Sequence, residues 1–331
     1  MHPGGRTVYQ VSDPSRSPQL KVFLAGATGA IGKRLVPLLV AHGHEVAAMT
    51  RSPDKAAALQ SVGVEPVVAD ALDQHAVEKA VTNSAPEVVI HELTDLTRLK
   101  SFKKFDEEFA TTNLLRTRGT DNLLAAARAA GARRFIAQSY GGWIYERTGT
   151  DAKTERDPLD PHPPRMQQMS LAAIQHLEQA VVEAGGLDGI ALRYGSFYGP
   201  GTGLALDGDL VRMVRKRQLP LIGNGAGIWS FLHVDDAASA TVAAVERGTS
   251  GIYNVCDDEP APVAVWLPDL ANALGAPPPR RLPTWLARFV VGEAGVSLMT
   301  QIRGMSNEAA KHELGWAPTY KSWRQGFRTG L

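Results

Sequence analysis

Gly26, Gly29 and Gly32 stand three residues apart, directly after the apolar run Val22-Phe23-Leu24-Ala25. Each position asks for the smallest residue for its own reason. Gly26 lets the chain turn sharply off a strand, Gly29 lets a pyrophosphate approach the backbone, and Gly32 lets a following helix pack closely on that strand. Thr28, Ala30 and Ile31 fill the turn. The helix N-terminus behind them offers free N–H groups and a partial positive charge to phosphate oxygens. The chemistry implied is dinucleotide binding. Its type is read from the end of the next apolar run, Met49-Thr50-Arg51-Ser52. Chains that prefer NAD usually carry an acid there for the ribose 2′-hydroxyl. Here Arg51 can pair with a 2′-phosphate, and Thr50 and Ser52 can donate hydrogen bonds to it. NADP(H) is the expected cofactor, with NAD(H) the alternative. Asp70 and Ala71 follow the third apolar run, where a carboxylate meets the adenine amino group or else caps a helix.

These groups need a frame, and the spacing supplies one. A helix over 30–41 buries Leu35, Leu38 and Leu39; strands are expected at 45–50, 65–69, 87–91, 133–138 and 189–193. Helices are expected at 53–61, 73–83, in a long region ending near 127, and at 167–184. Such alternation predicts an α/β fold, a Rossmann-type doubly wound parallel sheet with helices on both faces. The proline-rich stretch 140–165 reads as a long loop, a kind that is often functional. Beyond Gly201 the pattern is less regular and is broken by Pro277-Pro278-Pro279. The expected organisation is a disordered leader over 1–19, a dinucleotide-binding domain over 20–195, and a smaller C-terminal substrate-binding lobe over 196–331, interleaved with the sheet.

Bulk properties exclude several classes. In 331 residues, 35 Lys and Arg balance 34 Asp and Glu, which argues against a nucleic-acid footprint or an electrostatic membrane anchor. No apolar run has the length of a membrane span. The single cysteine, Cys256, forbids an internal disulfide or a cysteine-based zinc cluster and fits a cytoplasmic location. The pair Asp235 and Asp236 reads as a helix cap, and no metal site is expected. A small-molecule substrate is anticipated, on a monomer or homodimer.

Several segments together resemble the extended short-chain dehydrogenase/reductase family, the NAD(P)-dependent epimerase/dehydratase group. They are the glycine motif, 69–73, Val89-Ile90-His91, 119–124, 192–201, 231–238 and 313–318. The resemblance implies that Tyr194 and Tyr198 flank the loop beside the nicotinamide as wall residues, that His91 and Glu92 lie near the cofactor ribose, and that a serine, here Ser139, ends the fifth strand.

The departures bear on function. Family catalysis uses a Tyr with a Lys four residues later, the Lys and ribose making the phenol a proton exchanger as hydride moves. None of the seven tyrosines has that lysine. The helix that should carry the pair runs Met166-Gln167-Gln168-Met169-Ser170, with neither group. The supporting Asn, four residues before Thr120, is Arg116. Where sugar-nucleotide members place an arginine before the His-Val-Asp segment, Trp229 stands, so a less polar or aromatic substrate is expected. Candidate proton-handling groups are Ser139, Tyr140 and Tyr145; candidate substrate contacts are Ser139, Tyr140, Met166, Tyr198 and Trp229. The expected activity is an NADP(H)-dependent oxidoreductase acting on a small carbonyl or alcohol. The alternatives are a non-redox isomerase, cyclase or dehydratase, or an NADP(H)-binding sensor on the same fold.

Overall fold

A computed structural model describes residues 18–96 and 102–331. The leader expected over 1–19 lies outside the described residues, except for its last two. Seven parallel strands form one sheet: β1 (Lys21–Ala25), β2 (Glu45–Thr50), β3 (Glu65–Val68), β4 (Val88–His91), β5 (Arg134–Tyr140), β6 (Asp188–Tyr194) and β7 (Gly251–Val255). Their spatial order is β7-β6-β5-β4-β1-β2-β3. The central strands are buried on both faces, which is why β4 reads Val-Val-Ile-His without alternation. Helices α1 (Gly32–Ala41), α2 (Pro53–Ser61), α3 (Gln74–Ser84), α4 (Thr120–Ala129), α5 (Gln168–Val182) and α6 (Val234–Glu246) cover the sheet. Local chemistry sets their starts: Ser52 caps α2 by accepting from Lys55 N–H, and Asp73 caps α3 by accepting from Ala76 N–H.

Leu24, Leu35, Leu39, Val234 and Ala238 belong to the core on one face of the sheet; Phe23, Val77, Leu123, Phe135 and Leu177 to that on the other. A third core draws only on residues from Tyr198 onward, among them Phe231, Trp266, Leu270, Trp323 and Phe327. The strand missing from the expected pattern is β7. It lies well past the last helix–strand alternation, yet it pairs with β6 at the sheet edge, from Gly251 opposite Ile190 to Val255 opposite Tyr194. The chain therefore leaves the sheet, contributes to the third core, and returns. Just before α4, Leu115–Gly119 form a single wide π turn that places Arg116 out of ordinary helical register.

Candidate active site

The carboxyl ends of β1, β4, β5 and β6 define one edge, where a doubly wound sheet binds its ligand. At β1 the turn has the shape of a phosphate cradle. Gly26 has φ +104°, and a Cβ there would lie 2.7 Å from the Glu92 carbonyl oxygen. A Cβ on Gly32 would overlap the carbonyl oxygen of Gly26. Gly29 N–H donates to Gly26 C=O (3.0 Å) and remains exposed, with Thr28 and Ala30 half-buried beside it. Ile31 is buried and leads into α1. Side chains are excluded at Gly26 and Gly32, and one at Gly29 would stand 3.3 Å from the Gly26 carbonyl oxygen, so the residues present fit a dinucleotide diphosphate. Arg51 is exposed at the end of β2, next to Ser52. Asp70 is exposed too, its Oδ1 accepting from Leu72 N–H (3.0 Å), while the Ala71 carbonyl accepts from the Asn122 amide (2.8 Å). The loop after β6 reaches the same turn: Arg34 of α1 pairs with Asp235 (2.5 Å) and donates to Pro200 C=O (2.8 Å).

Several expected site residues do not face this edge. His91 is 1% exposed; its Nε2–H donates to Leu115 C=O (3.2 Å) and its Nδ1 accepts from Leu93 N–H (3.2 Å). Burial pushes its pKa down to about 4, so the imidazole is a neutral brace between β4 and the π turn. Tyr194 is fully buried, with its hydroxyl on Glu92 (3.0 Å) and Thr241 (2.6 Å). Tyr198 packs into the lobe core against His233, Phe231 and Phe327. Ser139 and Tyr145 belong to one sealed polar chain. Ser139 Oγ–H donates to Glu178 (2.6 Å), Glu178 holds Arg193 through two bonds (2.7 and 2.6 Å), Arg193 donates to the Tyr145 oxygen (2.8 Å), and Tyr145 O–H donates to Asn254 (2.6 Å). Both hydroxyls are spent on joining α5, β5, β6 and β7. In this arrangement each of the two hydroxyls, expected as a proton-handling group, donates to a buried structural partner. The reason is strand alternation: Ser139 points back to α5, and its neighbour Tyr140 to the other side.

Tyr140, Met166 and Trp229, by contrast, come together. All three are partly buried against one small apolar cluster that includes Phe105, Trp143, Leu171 and Met305. The Trp229 indole N–H donates to Leu298 C=O (2.9 Å) and its ring lies 5.0 Å from Trp266, which makes it a wall between cluster and lobe. The Tyr140 hydroxyl lies 3.2 Å from Ser196 Oγ. Burial raises the phenol's pKa, while the Ser196 bond and the Arg116 charge oppose the rise. Ser170, four residues after Met166, is tied down: its N–H and Oγ–H donate to Asp106 Oδ1 (2.9 and 2.6 Å), and Asn113 donates to its Oγ (3.1 Å). Arg116 and Ser196 stand beside Tyr140 and were not among the expected site residues. The available signal for Arg116 was its place four residues before Thr120; Ser196 offered none. Among the described residues no cluster of His, Cys, Asp or Glu could hold a metal ion, and no helix is long and apolar enough to cross a membrane.

Comparison with known proteins places this geometry. The sequence model of the family described as "NAD dependent epimerase/dehydratase family" matches residues 22–256. A 3-diazoavenalumate denitrifying reductase from Streptomyces sp is 47% identical over 93% of this chain and 99% of its own length. A 2-alkyl-3-oxoalkanoate reductase from Stenotrophomonas maltophilia is 29% identical over 78% of this chain and 77% of its own. Among solved structures, the UDP-glucose 4-epimerase of Thermotoga maritima superposes with a TM-score of 0.74 at 22% identity, over 94% of this chain and 97% of that one. With a family match spanning more than half its length and a reductase relative along nearly all of it, the chain belongs to the NAD dependent epimerase/dehydratase family and is an oxidoreductase of that fold.

Proposed function

We propose that the chain is an NADP(H)-dependent reductase of a small aromatic acceptor that accepts hydride without help from a Tyr–Lys acid, a diazo acid being the favoured class. The observation that carries this is the start of α5. Met166 stands where a phenol would donate a proton, and Ser170, held by Asp106 and Asn113, stands where an ammonium would support it. A ketone needs a proton on its oxygen as hydride arrives. An arenediazonium group needs none: it gains one hydride and yields the arene and dinitrogen, so charge and atoms balance with no general acid. The relative that shares 47% of its residues with this chain is named for a reduction that removes nitrogen from a diazo acid.

When bound, NADPH supplies the hydride. The backbone from Gly26 to Gly32 would hold its diphosphate, Arg51 with Ser52 the 2′-phosphate, and Asp70 with Ala71 the adenine. Tyr140, Met166 and Trp229 form an apolar wall for an aromatic ring, and an indole cannot neutralise the diphosphate of a sugar nucleotide. One observation favours a second reading, carbonyl reduction. The Tyr140–Ser196 hydroxyl pair, at 3.2 Å, offers a proton at a different atom from the usual one, and two reductases of oxo compounds are among the more distant relatives.

The experiment is acceptor-dependent NADPH oxidation above the enzyme-free rate, with 4-carboxybenzenediazonium compared against 4-acetylbenzoate. Faster turnover of the diazonium is expected. Preference for the ketone would transfer the assignment to the second reading, and no acceptor-dependent oxidation would sink both.

A further inference from the structure

We propose that Arg116 determines the acceptor's class by receiving a negatively charged oxygen of the substrate, a carboxylate or a phenolate, beside the Tyr140 hydroxyl. This rests on the reductase reading and names the residue that would read the acceptor's anionic oxygen.

Four Lys or Arg residues are deeply buried among the described residues: Arg116, Arg134, Lys153 and Arg193. Three are met. Arg193 is bound by both oxygens of Glu178, Arg134 donates to the carbonyls of Ala244, Val245, Arg247 and Gly248, and Lys153 pairs with Asp157. Arg116 is 3% exposed, and its Nε is enclosed with no partner. Its two terminal nitrogens are not sealed in, and they too donate to no described residue. Burial lowers the guanidinium pKa to about 10, which leaves it charged at neutral pH. A buried cation without an anion is costly, and the carboxylate that reaches it through space, Glu178, is already saturated by Arg193.

Position identifies the missing anion. The π turn carries Arg116 to the edge between β4 and β5, where its charge is felt by His91 and Tyr140. The diphosphate cradle belongs to β1, so a cofactor phosphate is not the natural partner there. The neighbouring surface is the apolar cluster bearing Met166 and Trp229. An aromatic ring on that surface with an anionic oxygen on the guanidinium would satisfy both.

Binding of four probes to the full chain tests this by calorimetry, with and without NADP+: benzoate against benzamide, and 4-nitrophenolate against 4-nitroanisole. At least one anion should bind about tenfold tighter than its neutral partner. Arg116→Gln should erase that preference and Arg116→Lys restore part of it. Arg116→Met should melt no lower than the parent, because there is no native partner to lose; a structural arginine would melt lower. NADPH affinity, read by nicotinamide fluorescence, should be the same in all variants. Equal anion binding by Arg116→Gln and the parent, no preference for anion over neutral probe, or a marked fall in the melting temperature of Arg116→Met would overturn the proposal. Failure of the parent to bind NADPH would instead refute the reductase reading, since anion binding is also scored without nucleotide.

Discussion

Ser139 and Tyr140 are adjacent on β5 and have opposite fates, because successive strand side chains point to opposite faces. Ser139→Ala should lower stability by about 1 kcal/mol, through loss of one buried hydrogen bond to Glu178, and leave turnover unchanged. A kcat that falls with the hydroxyl would return Ser139 to the reacting atoms. Tyr140→Phe separates the two chemistries: diazo reduction should hold, whereas ketone reduction through this phenol should fall about a hundredfold. Equal loss with both acceptors would show that the hydroxyl positions substrate instead of donating a proton. Glu178→Gln should be far more damaging to the fold, by about 3–5 kcal/mol in denaturant melts, since it leaves the Arg193 guanidinium buried without its carboxylate. At this scale the sequence was only partly legible. Gly26 and Gly32 were readable because a side chain at either would collide with backbone. The spent hydroxyls of Ser139, Tyr145 and Tyr194 were not, because their partners Glu178, Asn254 and Thr241 lie 39, 109 and 47 residues away.

At the scale of elements, the strand–turn–helix at 21–41 and the rebuilt start of α5 carry the account. Gly32→Ala drives a methyl into the Gly26 carbonyl. It should weaken NADPH binding and cost about 1–3 kcal/mol, as overpacking does; unchanged nucleotide affinity would show that the turn is not the cradle. Arg51→Ala should weaken NADPH much more than NADH in the same fluorescence titration, and equal losses would remove the case for a 2′-phosphate. Strands and helices up to β6 were legible within one or two residues, because their apolar periods are short and regular. The π turn at Leu115–Gly119 was not: its composition, Leu-Arg-Thr-Arg-Gly, is ordinary for a helix end, and only tertiary packing against α5 reveals the extra residue. β7 escaped for a related reason, being separated from β6 by the lobe segment it closes.

For the whole molecule, the Arg34–Asp235 pair and the Arg34 bond to Pro200 tie α1, which follows the Gly26–Gly32 turn, to the segment after β6 and to α6. Two buried carboxyls should also shape the response to pH. Burial raises Glu92 and Asp257 to about 8 each. The folded state then holds protons that the unfolded chain has already released, so stability falls as pH rises toward 8. His91, at about 4 when folded, acts in the opposite direction only below its ordinary 6.5. Between about 6.5 and 8 the melting temperature should therefore decline with pH, and Glu92→Gln should flatten that decline; an unaltered slope would contradict the assignment. Hydride is proposed to pass from NADPH to a diazo acceptor at an edge that lacks the usual acid. The most direct test is a single-turnover reaction with NADPH deuterated at the transferring position, following nucleotide oxidation and gas release together. Direct hydride transfer gives one NADP+ for each dinitrogen and a slower reaction with the deuterated reagent. Dinitrogen released without nucleotide oxidation, or nucleotide oxidised at the same rate with no acceptor present, would contradict it.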